Sequence, residues 1–151
     1  MADLIRRGTP ADVEAITDLT MCAYSKWLAL IGYEPLPMLA DYAVAITQHR
    51  FDLLEVDGEL AALIETELRD DDLLIVNIAV SPDAQKRGHG RRLMALAEQI
   101  ATAAGRTTLR LYTNERFEEN IRLYFSLGYA QERLETRDNG ARVVHMVKRI
   151  G

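Results

Sequence analysis

Two hydrophobic periods divide this chain. Val13, Ile16, Leu19, Ala23 and Trp27 recur at helical spacing and form one apolar face. Thr9-Pro10-Ala11-Asp12 predicts where that helix begins, with threonine as N-cap, proline at the first helical position and aspartate at N3. Gly32, Pro35 and Pro37 break it, and residues 39–46 are predicted as a second short helix. Strand-like runs come before and after. Leu4 to Arg7 reads as a short first strand, and Phe51 to Val56 and Glu59 to Leu68 flank Asp57-Gly58, a pair suited to a tight hairpin because both positions need positive φ. After the polar turn Arg69 to Asp72, Leu73 to Val80 is almost continuously apolar, as a central strand covered on both faces would be. Ser81-Pro82-Asp83 ends it.

The second half repeats the alternation. A helix over residues 90–104 would bury Leu93, Leu96, Ala97 and Ile100 and stop at Gly105. Thr108 to Tyr112 is predicted as a strand, residues 118–127 as a helix ending at Gly128, and Ala130 to Thr136 with Arg142 to Arg149 as a closing hairpin across Asp138-Asn139-Gly140. The order β-α-α-β-β-β-α-β-α-β-β predicts one mixed α/β domain over residues 1–151.

Composition narrows the function classes. With 48% hydrophobic and 27% charged residues the balance is globular. No apolar run reaches the roughly 18 residues of a membrane span, and Met1 to Arg7 lacks an apolar signal core, so a cytoplasmic location is expected. The lone Cys22 excludes an internal disulfide and a cysteine-rich metal site. A net charge of −5 argues against broad binding to nucleic acid or anionic membrane. Yet Lys86, Arg87, Arg91 and Arg92, with His89 among them, form a compact basic knot.

That knot lies in Gln85-Lys-Arg-Gly88-His-Gly90-Arg91, between a buried strand and a helix N-terminus. First-turn N–H groups lack intrahelical partners, the helix dipole favours negative charge, and glycines at 88 and 90 let an oxygen approach the backbone. The residues alone describe a phosphate or pyrophosphate cradle, or else a glycine turn without a ligand. A Walker loop is absent, and Gly88 and Gly90 supply only two of the three glycines of a dinucleotide fingerprint.

Gln85-Lys-Arg-Gly88-His-Gly90 resembles the Gln/Arg-x-x-Gly-x-Gly/Ala signature of the GCN5-related N-acetyltransferases. Asn77-Ile-Ala-Val80-Ser-Pro82 looks like the strand leading into it, and Asn120-Ile-Arg-Leu-Tyr124-Phe-Ser-Leu-Gly128-Tyr129 is similar to the family's helix-and-tyrosine segment, about 35 residues on. The resemblance implies a mixed, mostly antiparallel twisted sheet of about seven strands, helices on both faces, splayed between its two central strands. It implies acetyl-CoA as donor, no metal, and an amine as acceptor. Ile78, Ala79 and Val80 would pair with the pantetheine arm, main-chain N–H groups from Gln85 through Lys86, Arg87, Gly88, His89 and Gly90 to Arg91 would hold the pyrophosphate, and a main-chain N–H near Val80 would polarise the thioester carbonyl. Tyr124 would protonate the departing thiolate. Asn120, where relatives more commonly carry alanine, would bond the cofactor or cap its helix, and Asn114 is a second candidate for the cofactor contact.

The resemblance also marks a departure. Val76 stands where many relatives place a glutamate base, and valine accepts no proton. Glu65, Glu67, Asp72 and His145 are the replacements within reach of the sequence, and none is assigned. Tyr33 and Glu34, in a proline-framed loop where this fold chooses its acceptor, are the substrate candidates, with Tyr42 beside them. The acceptor's identity and whether two copies pair stay open. A non-catalytic coenzyme-binding module and a nucleotide-phosphate binder are the rival readings.

Overall fold

A computed structural model describes residues 3–151; Met1 and Ala2 lie outside it, so the reading of the first residues as free of a signal core rests on sequence alone. The strands are β1 (Asp3–Arg7), β2 (Arg50–Val56), β3 (Glu59–Leu68), β4 (Leu73–Val80), β5 (Thr108–Asn114), β6 (Ala130–Thr136) and β7 (Arg142–Arg149). The helices are α1 (Val13–Ile31), α2 (Leu36–Leu39), α3 (Tyr42–Gln48), α4 (His89–Ala103) and α5 (Glu118–Ser126). They form one seven-stranded sheet in the order β1-β2-β3-β4-β5-β7-β6, antiparallel everywhere except between β4 and β5. Among the described residues no helix is long and apolar enough to cross a membrane.

Strand alternation sends each apolar set to its own helices. On one face Leu53, Leu63 and Ala79 pack with Ile16, Leu19, Tyr24 and Trp27 of α1 and with Phe117, whose ring stacks on Trp27 at 4.4 Å between centroids. On the other, Leu54, Ala62, Ile64 and Ile75 pack with Leu93, Met94, Ala97 and Ala101 of α4 and with Tyr124 of α5. Helices therefore cover both faces. Each fully buried aliphatic side chain contributes about 1.5–3 kcal/mol by leaving water.

Three expectations change. The helix predicted over residues 39–46 starts and ends later, as α3, because Asp41 caps its start: its carboxylate accepts from the Ala43 N–H at 3.0 Å, and a separate short turn, α2, precedes it in the proline stretch. The first helix opens with a 3-10 turn at Pro10–Asp12, where the Asp12 carboxylate accepts from the Thr9 N–H at 2.8 Å, before α1 proper. Strand β5 runs two residues past Tyr112 to Asn114.

Two irregularities in β4 shape the site. Glu65 pairs with Asn77 and Thr66 with Ile75, leaving Val76 as a bulge with no opposite residue. One extra residue reverses the alternation: Ile75 packs toward α4, while Asn77 and Ala79 turn toward α1. The second irregularity is a splay. Strands β4 and β5 pair only through Leu73↔Leu109, Leu74↔Arg110 and Ile75↔Leu111, and from Val76 onward they part.

Candidate active site

The splay opens a cavity of about 350 Å³, walled by β4 from Ile75 to Ile78, β5 from Leu111 to Asn114, Asn120 and Tyr124 of α5, and the loop carrying Tyr33 and Glu34. Its β4 edge has unpaired backbone. The Ser81 N–H donates to the Ala61 carbonyl at 2.8 Å, and Ala79 pairs with Leu63 in the same phase of the ladder, so Ala79 spends its main-chain groups on β3. Ile78 and Val80, one residue out of phase, present their N–H and C=O to the splay. Of the three residues expected to pair with a pantetheine arm, then, Ala79 presents no free edge and the other two do.

That edge leads to α4. A Cβ built on Gly90 would meet Val80 Cγ2 at 4.0 Å and Leu123 Cδ2 at 3.9 Å, so this glycine faces the seam between β4 and α5. Gly88 sits at the helix N-cap with φ +81°, no side chain caps α4, and space around the Gly88 Cβ direction is open. Among the described residues no main-chain N–H from Gln85 to Arg91 donates in a turn or loop bond. Lys86 also holds positive φ, at 63°, which turns successive amides outward. The chemistry of this turn fits a diphosphate: unpaired donors, a helix N-terminus and cations on exposed residues 86, 87 and 91. Arg92 is spent elsewhere, on Asp3 at 3.2 Å. His89 differs from its neighbours because its side chain is buried, with Nε2 unpartnered, so only its backbone suits the cradle.

Tyr124 and Asn120 share the cavity wall one helical turn apart, as their spacing predicted. Burial alone raises the Tyr124 phenol well above its ordinary range. Asn120 does not cap α5, whose N-cap position is Phe117 with no side-chain bond. Asn114 also lines the wall, but its amide is already engaged: Nδ2 donates to the Tyr33 hydroxyl at 2.8 Å and Oδ1 accepts from the Arg116 N–H at 2.9 Å. It positions Tyr33 rather than standing free for a cofactor.

The base candidates separate cleanly. Asp72 is clamped by Arg69, at 2.6 and 2.7 Å, and by Arg110 at 2.8 Å; these bonds hold its carboxyl below the usual range, and it lies off the cavity wall. His145 bonds Glu135 at 2.8 Å and is also off the wall. Glu67 is part-exposed at the strand end. Glu65 alone among the four lines the cavity, buried, with Oε2 at 2.6 Å from His49 Nδ1. Burial pushes its carboxyl up, while the His49 bond works against that shift.

Tyr24 and His49 are among the wall residues that had no sequence signal. The Tyr24 hydroxyl donates to Asn77 Oδ1 at 2.8 Å, and Asn77 Nδ2 donates to the Tyr42 hydroxyl at 3.3 Å. A second contact places the Tyr24 hydroxyl 3.3 Å from the Ile78 carbonyl on the free edge. Tyr42 in turn donates to the Pro37 carbonyl at 2.7 Å, which fastens the proline loop to the wall. Tyr24 reads from sequence as one more position of an amphipathic helix, and the bulge that turns Asn77 toward it supplies the shorter of its two polar contacts.

Known proteins share this architecture. The structure superposes on the PaiA N-acetyltransferase of Thermoplasma acidophilum in complex with coenzyme A, with a TM-score of 0.81 at 19% identity over 99% of both chains. It superposes on the ribosomal-protein-S18-alanine N-acetyltransferase of Escherichia coli with a TM-score of 0.77 at 23% identity, covering 99% of this chain and 95% of that one. In sequence it is 39% identical over 77 residues to the [ribosomal protein bS18]-alanine N-acetyltransferase of Salmonella typhimurium, an alignment spanning 50% of this chain and about half, 51%, of that relative. A family model described as Acetyltransferase (GNAT) family matches residues 13–129. With that match over most of its length, on a sheet splayed at β4 and an uncapped glycine turn, this chain belongs to the GNAT acetyltransferase family.

Proposed function

We propose that the chain transfers an acetyl group from acetyl-CoA to a primary amine. The observation that carries the reading is the free β4 edge at Ile78 and Val80, with the uncapped α4 turn at one end and the tyrosine-walled cavity at the other. Main-chain N–H groups from Gln85 to Arg91 would hold the diphosphate, and the Ile78 and Val80 edge would hold the arm. Binding through backbone makes the site depend on conformation at Gly88 more than on any basic side chain.

The amine nitrogen attacks the thioester carbonyl carbon, forming a C–N bond while the C–S bond breaks. An N–H on the β4 edge stabilises the oxygen as charge grows on it. The Tyr124 hydroxyl donates to the departing sulfur and delivers its proton, and the phenolate recovers one, through water, from the nitrogen, which sheds its second proton as it becomes an amide. Burial raises the phenol, so it holds its proton at neutral pH and can donate it as charge grows on sulfur.

On the acceptor side, Tyr33 and Glu34 line the mouth with Leu36 and Leu39, exposed apolar side chains. A carboxylate among apolar residues suits an ammonium on an otherwise uncharged chain end. The relatives named for acetylating an alanine of a ribosomal protein support an alanine-initiated peptide as the first acceptor to try. Release of CoA thiol from acetyl-CoA, followed against an alanine-initiated hexapeptide amide, spermidine and lysine, tests the reading. Release with at least one is expected. Tight CoA binding by calorimetry with no release across the panel would favour a non-catalytic coenzyme-binding module.

A further inference from the structure

We propose that Glu65 is the proton acceptor for the attacking amine, with His49 and Glu67 leading the proton out to solvent; this rests on the acetyl-transfer reading above. Val76, the bulge residue, stands where the resemblance implies a glutamate base, and valine carries no carboxylate. That bulge has a second effect. It turns Asn77 to the α1 face opposite Glu65, which the alternation of β3 already places there two residues after Leu63, so a carboxylate of β3 reaches the cavity where β4 offers only a valine.

The three groups form a graded line. Side-chain exposure rises from 4% at Glu65 to 21% at His49 and 41% at Glu67. His49 Nδ1 lies 2.6 Å from Glu65 Oε2, and its other nitrogen, Nε2, lies 3.8 Å from Glu67 Oε1. An imidazole with a carboxylate at each nitrogen can take a proton on one side and release one on the other. The ammonium N–H bond breaks toward Glu65 and leaves its electron pair on nitrogen for attack. The same proton count then passes through His49 to Glu67 and bulk water, so Glu65 returns to its starting state each turnover.

A buried strand pair with no chemistry would look similar in two respects, the short bond and the low exposure. Two observations favour a working group. Glu65 and His49 both line the cavity, and burial raises the Glu65 carboxyl, which makes it a better proton acceptor than an exposed carboxylate. The titratable and charged groups around it are His49 after α3, Glu67 along β3, the phenols of Tyr24 on α1 and Tyr42 on α3, and, elsewhere on the wall, Glu34, Arg137 and the phenols of Tyr33, Tyr112 and Tyr124. Among them His49 is the one imidazole, with a ring nitrogen toward each of two carboxylates.

Glu65→Gln and His49→Gln separate the possibilities, with folding checked by thermal melts and acetyl-CoA affinity by calorimetry. With the best acceptor of the three-amine panel, E65Q is expected to lose about 100-fold or more in kcat/KM at pH 7 while keeping acetyl-CoA affinity. Its kcat/KM should then climb about tenfold per pH unit as the amine deprotonates in solution, where the unsubstituted protein is flatter. H49Q, which leaves the buried carboxylate in place, should lose less and shift the same acid limb. Activity and a pH profile unchanged in either variant would overturn the assignment while leaving acetyl transfer intact. If E65Q does not fold, an unchanged acid limb in H49Q alone overturns the relay. No release of thiol by the unsubstituted protein with any of the three amines would overturn the transfer reading and the relay together.

Discussion

Gly88 offers the sharpest test of how the cradle works. Its φ of +81° belongs to the left-handed region, yet nothing lies within 4 Å of the position a Cβ would take. Gly88→Ala therefore introduces conformational strain without a clash, costing about 1–2 kcal/mol. The Gly88 carbonyl accepts the Arg92 N–H at 3.0 Å, so relaxing that strain would also tilt the first turn of α4 and its outward amides. If the turn holds its shape, the strain appears as a melting temperature lower by about 2–8 °C for a chain of this size. If the empty turn relaxes instead, the strain is met on binding, and acetyl-CoA affinity falls by about 5–30-fold. Gly90→Ala is the control for steric blocking. Its methyl would make ordinary contacts with Leu123 and Val80, and a helical alanine gains up to about 1 kcal/mol over glycine, so this variant should melt no lower and bind more weakly only through obstruction of the seam. Differential scanning calorimetry and titration calorimetry on both proteins supply the four numbers. A Gly88→Ala protein matching the unsubstituted chain in both melting and affinity would refute the conformational argument.

Other consequences are simpler to state. Tyr124→Phe should lower turnover by about 10²–10⁴-fold with little change in acetyl-CoA affinity, since only the hydroxyl leaves a buried site; equal loss of kcat/KM and binding would point to packing instead. Lys86→Gly should stabilise the fold by up to about 1–2 kcal/mol in melts, because a non-glycine residue holds φ 63° there. Asp72, clamped by Arg69 and Arg110, has its folded-state carboxyl held below the unfolded value, so its stabilising contribution is full above about pH 4 and is lost as pH falls through the folded value. Asp72→Asn should melt lower at pH 7 and show a flatter acid limb in a melt series from pH 6 to 2.

Much of this was legible in advance, for local reasons. The limits of β3, β4, β6 and β7 follow from turn chemistry, as at Asp57 and Gly58, which take φ of 54° and 84°. The Gly88 turn and the Tyr124 helix carry family motifs on short stretches of chain. The Val76 bulge was not legible, because an apolar run covered on both faces looks the same with or without an extra residue. With it went the side-chain direction of Asn77 and the partners of Tyr24. His49 escaped because it stands alone in a polar stretch between α3 and β2, and its partner Glu65 is 16 residues away. Counting the hairpin outward from Asp57-Gly58 would not have found it either: regular pairing sets His49 opposite Thr66, and only the register shift at Leu54 and Glu55 makes Phe51 pair with Glu65.

The three rungs that join β4 to β5 make this sheet two plates riveted at one end. A donor arm lying along Ile78 and Val80 would act as a removable strand between them, so occupancy would stiffen the gap that the empty protein leaves to side chains. Amide exchange at the far ends of both strands would then slow together on loading, a signature that a ligand held only at the α4 turn would leave unchanged.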